Sequence, residues 1–159
     1  MAEMTPEQVE PRPLPVSYFP GCSGHGTGTE YDRSARQVCQ ALGLELLELE
    51  DWNCCGATSA HATDAQLAVA LGARNLGLAE ALEPDAVVTP CAACFSRLKH
   101  AQHHLLEHGT PLGLPEVKGR VQVLHLLDLC SANPNGWSGS RRSGSTSSTS
   151  SRWSPTTVA

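Results

Sequence analysis

At 159 residues the chain has room for one domain of ordinary size. Sixteen acidic against eleven basic residues leave a net charge of −5, so the ordered part offers no field for nucleic-acid phosphates. No apolar run approaches the roughly 20 residues that span a bilayer, and the first 15 residues lack the basic start and apolar core of a secretion signal.

Residues 1–15, polar, acidic and proline-rich, read as a disordered leader to a cytoplasmic domain at residues 16–130. Residues 16–19 predict a short strand, and residues 21–29 a loop with four glycines. Residues 30–42 predict a helix, with Ala35, Val38, Cys39 and Leu42 at helical spacing and Gly43 as its stop. Residues 44–49 partly alternate apolar with acidic side chains, as in a strand with one wetter face. Past a cysteine loop comes the strongest helix, residues 64–82, rich in Ala and Leu, capped by Thr63 or Asp64 and followed by Pro84. Residues 86–89 predict a buried strand. Residues 94–107 predict a helix with Phe95, Leu98, Leu105 and Leu106 as its apolar members. A Gly/Pro loop at 109–119 leads to a fourth strand at 121–124.

Strands alternating with helices of about 12 residues or more imply parallel pairing. The expected class is therefore α/β, a single layered domain with a short, mostly parallel sheet whose strand order stays open. Between residues 138 and 157, thirteen of twenty positions are Ser or Thr, so residues 131–159 read as a disordered tail.

Seven cysteines in a reducing compartment argue for metal or redox chemistry over structural disulfides. Five of them stand at Cys22, Cys54-Cys55-Gly56 and Cys91-Ala92-Ala93-Cys94, each site just past a strand-like run and next to a Pro or Gly. That puts them on loops at the carboxyl ends of strands, where ligands of α/β sheets collect. Zinc takes four ligands in a tetrahedron, one fewer than the five thiols on offer. Adjacent side chains on extended backbone also point to opposite sides, so Cys54 and Cys55 fit poorly on one small ion. A cluster of several irons answers both objections. Gly56 is expected where backbone turns close to such a cluster, and the helix N-terminus is expected to favour the thiolates of Cys91 and Cys94.

The three cysteine sites resemble the CCG cysteine-rich domain. The runs Tyr18-Phe19-Pro20-Gly21-Cys22-Ser23, Glu30-Tyr31-Asp32, Leu49 to Thr58 and Thr89 to Cys94 look more specifically like the B-type subunit of heterodisulfide reductase, over about residues 16–129. The resemblance implies a noncubane [4Fe-4S] cluster on Cys22, Cys54, Cys55, Cys91 and Cys94. It also implies reductive cleavage of a small-molecule or protein disulfide, with electrons arriving through a flavin-bearing (A-type) and an iron–sulfur (C-type) heterodisulfide reductase subunit. The B-type subunit carries two CCG domains and this chain has one, so it reads as truncated after the first. Suitable codons for residues 152–159 spell VVAYYGC in a shifted frame, similar to the missing opening motif, which makes the tail a candidate frameshift product. The alternatives are a structural zinc module serving interaction and a non-functional fragment.

Other residues have plainer readings. Cys39 lies on the apolar side of a helix and reads as core, and Cys130 as a bystander. His25 and His61 flank the cysteine loops, as tuning or substrate-contacting residues or as ordinary surface histidines. His100, His103, His104 and His108 read as a solvated helix face. Trp52 either shields the cluster from water or only packs. Arg141, Arg142 and Arg152 sit in Ser runs with no folded RNA-binding module around them.

Overall fold

Val16 and Tyr18 point to one side of a central strand, and the two faces that such alternation creates organise the fold. The computed structural model describes residues 13–57, 59–82, 85–111 and 113–131. Most of the expected leader and all of the expected tail except Ser131 lie outside these residues, as do Arg141, Arg142 and Arg152. The elements run β1 (Leu14–Tyr18), α1 (Gly21–Gly24), α2 (Thr29–Ala41), β2 (Leu44–Glu48), α3 (Ser59–Thr63), α4 (Ala65–Glu80), β3 (Ala86–Thr89), α5 (Ala92–His108), β4 (Gln122–His125) and α6 (Leu126–Ser131).

The four strands form one sheet in the order β2-β1-β3-β4, and every pairing is parallel. The fold is thus α/β, as expected. β1 begins earlier than its apolar run implies, because Leu14 and Pro15 pair with Leu44 and Glu45 of β2. Pro15 is tolerated there since the ladder to β3 on the other side starts only at Ser17. All four residues of β3 are buried, as befits a central strand covered on both faces.

One face of the sheet packs Val87 and Val123 under Ala73, Leu76 and Ala79 of α4 and Cys94, Leu98, Ala101 and Leu105 of α5. The other packs Val16, Tyr18 and Val88 under Ala35 and Cys39 of α2 and Leu126 and Leu129 of α6. Asp64 caps α4, its carboxylate accepting from the backbone N–H groups of Gln66 and Leu67. The close approach of α4 to α5 requires Gly72, since a Cβ there would lie 2.7 Å from the Cβ of Ala101.

α1, α3 and α6 were not anticipated, and runs of four to six residues are too short to show a helical period. The chain passes from β1 outward to β2 and then crosses back to β3 on the far side of β1. That reversal opens a crevice at the carboxyl ends of β1 and β3, the usual ligand position in such sheets.

Candidate functional site

Each cysteine site follows directly from a strand end. The ladder runs one residue past the strands, with Phe19 N–H donating to Val88 O and Leu49 N–H to Tyr18 O. After β1, Gly21 takes a left-handed φ of 72° and Cys22 follows on α1, exposed. After β2, a loop presents Cys54 outward and Cys55 inward, opposite sides as adjacent side chains require. After β3, half-buried Cys91 is the N-cap of α5 and Cys94 is buried in its first turn.

The loops bring all five thiols to one edge. Cys55 Sγ and Cys94 Sγ are 3.4 Å apart. Cys54 interacts with Cys55 and with Cys22, and Cys94 interacts with Cys55 and Cys91. The sulfurs thus run as neighbours in the order Cys22, Cys54, Cys55, Cys94, Cys91. Among the described residues, no three His, Cys, Asp or Glu side chains converge as they would around one ion. The thiols form an extended group instead.

Their acidities differ by partner. Cys55 is drawn down to about 6, first by the hydrogen bond from Cys94, with backbone amides helping against the cost of burial. Cys94 moves the other way, because its proton is held by Cys55 and it is buried beside negative neighbours. This corrects the expectation that the helix N-terminus favours thiolate at Cys94: desolvation and a thiolate partner outweigh the first turn of α5. The amide of Gly56 favours the Cys54 thiolate, but burial and the charges of Cys55 and Cys22 push it up on balance.

The glycines also sort differently than expected. Gly56 adopts φ 79°, yet a Cβ there would meet Leu71 and Ala60 rather than a sulfur. The glycine lying against a thiol is Gly21, where a Cβ would stand 2.8 Å from Cys94 Sγ. Any side chain at position 21 would occupy the space beside that sulfur.

The loop bearing Cys54 and Cys55 is clamped by α4, through residues that sequence reasoning missed. Asn75 is 1% exposed; its Oδ1 accepts from Asn53 N–H at 3.0 Å and its Nδ2 donates to Asn53 O at 2.8 Å. Arg74 donates to Asp51 O at 2.6 Å and to Asn53 Oδ1 at 2.9 Å, and pairs with the Asp51 carboxylate. Asp51 is held at φ 55°, a left-handed conformation that Asp tolerates better than most residues. The available signal was an Asn inside an Ala/Leu-rich helix, where propensity disfavours it. Asn75→Ala leaves two backbone groups of Asn53 without partners and is expected to cost about 1–3 kcal/mol in urea unfolding of the metal-free chain. A change below about 0.5 kcal/mol, the size of an ordinary surface substitution, contradicts the clamp.

A second network centres on Glu48, at the end of β2. Its Oε1 accepts from His25 Nε2 at 2.7 Å and from Trp52 Nε1 at 3.1 Å, and its Oε2 from Arg36 at 2.5 Å. Arg36 also pairs with buried Asp32, which accepts from the Tyr18 hydroxyl at 2.6 Å. Trp52 stands edge-on to both Phe19 and His25, with centroids 5.4 Å and 5.2 Å away, and packs against the core that includes Cys55. His61 lies on α3, its Nδ1 2.9 Å from Arg97.

The remaining candidates stand apart. Cys39 is fully buried on the other face of the sheet, its thiol pushed up to about 11 by burial first and then by neighbouring Cys130. Cys130 packs against that same cluster. His100, His103 and His108 are exposed on α5 and His104 is half-buried, with His103 pairing Glu107.

The donor set suits an iron–sulfur group: five thiols, two buried and three reaching toward solvent, with a side-chain-free position at Gly21 beside one of them. Among the described residues no helix is long and apolar enough to cross a membrane.

Comparison with known proteins agrees with this geometry. The model of a family described as the CCG cysteine-rich domain matches residues 16–99. The 8-methylmenaquinol:fumarate reductase membrane anchor subunit of Wolinella succinogenes is 36% identical over 89 residues, covering 56% of this chain and 31% of that protein. A protein of Archaeoglobus profundus named as like the B-type subunit of heterodisulfide reductase is 29% identical over 101 residues, 59% of this chain and 30% of its own length. The probable glycolate oxidase iron–sulfur subunit of Bacillus subtilis is 26% identical over 97 residues, covering 61% and 22%. The chain thus spans less than a third of the length of these relatives. The match covers more than half of the sequence and takes in all five thiols of the sheet edge, and the chain belongs to the CCG cysteine-rich domain family.

Proposed function

We propose that the chain is the iron–sulfur part of a cytoplasmic oxidoreductase, of the kind formed by the B-type subunit of heterodisulfide reductase. In this reading Cys22, Cys54, Cys55, Cys91 and Cys94 hold a noncubane [4Fe-4S] cluster, and the partners are a flavin-bearing subunit and a separate iron–sulfur subunit. The cluster supplies single electrons for reductive cleavage of a small-molecule or protein disulfide. The observation that carries the reading is the run of five neighbouring thiols at the crevice between β1 and β3, with Cys55 and Cys94 3.4 Å apart. Further support comes from relatives named for an iron–sulfur subunit or for likeness to heterodisulfide reductase.

The chain's own residues have distinct tasks in it. Cys55 and Cys94 would hold the group from the buried side, and exposed Cys22 and Cys54 would hold it from the solvent side. Trp52 packs edge-on to Phe19, and Asn75 and Arg74 clamp the Cys54-Cys55 loop to α4. A structural zinc module is the weaker reading, because the edge offers five thiols where one zinc takes four.

Anaerobic purification separates the two. The proposed cluster gives a brown protein with about four irons and about four acid-labile sulfides per chain. A colourless protein holding one zinc sinks the proposal.

A further inference from the structure

Two thiols of the cysteine edge are already in contact. Cys55 Sγ and Cys94 Sγ lie 3.4 Å apart, and turning the side chains closes such a gap to the roughly 2.05 Å of a disulfide bond. Each sulfur is carried by a segment that is fixed independently of the contact. The Cys54-Cys55 loop is held to α4 by Asn75 and Arg74, through Asn53 and Asp51. Cys94 stands in the first turn of α5, which packs on α4 where Gly72 meets Ala101. The scaffold therefore makes reaction between the two thiols intramolecular and oriented. Cys94 Sγ also has room to turn, because its neighbour is Gly21, where even a Cβ would stand 2.8 Å from it.

Burial sets this pair apart from the other three thiols. Cys55 and Cys94 are 3% and 2% exposed, whereas Cys22 and Cys54 are exposed and Cys91 is half-buried. An oxidised sulfur at either buried position meets the other one, 3.4 Å away, more readily than it meets a bulky thiol from solution. The oxidant itself must be small. Hydrogen peroxide is little larger than water, and exposed Cys54, the chain neighbour of Cys55, marks the side from which it enters.

We propose that Cys55 and Cys94 form a reversible disulfide when the chain meets hydrogen peroxide before a cluster is in place, and that this bond bars the cluster until it is reduced. One sulfur attacks a peroxide oxygen, the O–O bond breaks, and a sulfenic acid forms as one water leaves. The other sulfur attacks the sulfenic sulfur, the S–S bond forms, and the sulfenic oxygen leaves as a second water. Two thiols and one peroxide thus give one disulfide and two waters, with two electrons passing from sulfur to oxygen. The bond withdraws two of the five thiols as ligands and spares both from irreversible oxidation. Its formation needs no metal; its consequence rests on the cluster reading above.

The full chain, metal-free and reduced, is treated with an equimolar amount of hydrogen peroxide, and the thiols still free are alkylated. Peptide mapping is expected to find Cys55 joined to Cys94. The cross-link is expected to persist in Cys39→Ser and to vanish in Cys94→Ser. The wild-type map stands by itself even if Cys94→Ser fails to fold. In anaerobic loading with iron and sulfide, the oxidised chain is expected to take up about tenfold less iron than the reduced chain, and to recover after dithiothreitol. Cys55 and Cys94 both alkylated, or joined to other cysteines, overturns the proposal. A cross-linked chain that loads iron as fully as the reduced one overturns the bar on the cluster. A reduced chain that takes up no iron overturns the cluster reading and with it the bar, while the map of the metal-free chain still decides the bond.

Discussion

Replacing Cys55 with serine is expected to strip the proposed cluster, whereas replacing Cys39 with serine leaves it in place. Cys55 is buried, 3.4 Å from Cys94, at the meeting point of the loops after β2 and β3. A serine there offers a harder and far more basic oxygen that does not ionise to match a thiolate. Iron should fall from about four per chain to below about one, with acid-labile sulfide falling in parallel. Cys54→Ser is expected to lose or rearrange the cluster as well, although exposed Cys54 allows more room for rearrangement. Cys39 is equally buried, but it lies across the sheet among Val16, Tyr18, Ala35 and Val88. Placing a hydroxyl there costs about 1–3 kcal/mol of stability and no iron. The comparison is made by metal and sulfide analysis after anaerobic purification. Iron loss from Cys39→Ser as complete as that from Cys55→Ser contradicts the ligand set.

The second large effect concerns turnover. The relatives extend over more than three times the matched segment; following the resemblance to the B-type subunit, which carries two CCG domains, we propose that a second such domain forms the other wall of the substrate site. A site missing one wall loses both orientation and water exclusion. Disulfide reduction by this chain alone, with reduced viologen as donor, is therefore expected about a hundredfold below that of the chain supplied with the second half as a separate polypeptide. Leu127 on α6 and Leu106 on α5, 66% and 65% exposed, are apolar surface that the free chain leaves to solvent. Equal turnover with and without the second half, over a panel of disulfides, defeats the two-domain proposal.

Where backbone preferences are local, the sequence was enough. Alternation and β-rich runs marked all four strands, Ala/Leu content and Asp64 marked α4, and Pro and Gly marked the breaks. Parallel pairing followed from the helical crossovers, and with it the placement of five cysteines at strand ends. Those features depend on residues near one another in the chain. Partner choice across the fold did not follow in that way. That β1 lies between β2 and β3, that Cys55 meets Cys94, that Asn75 grips Asn53 and that Glu48 gathers His25, Trp52 and Arg36 depend on how the crossovers pack. The sense of the Cys94 acidity shift came from the same source. A helix N-terminus is visible in sequence, but the burial and the thiolate that overrule it arrive from a strand end 39 residues away. Local periodicity decides which segments form and where the chain breaks; desolvation and hydrogen bonding between distant segments decide the chemistry of what they bring together.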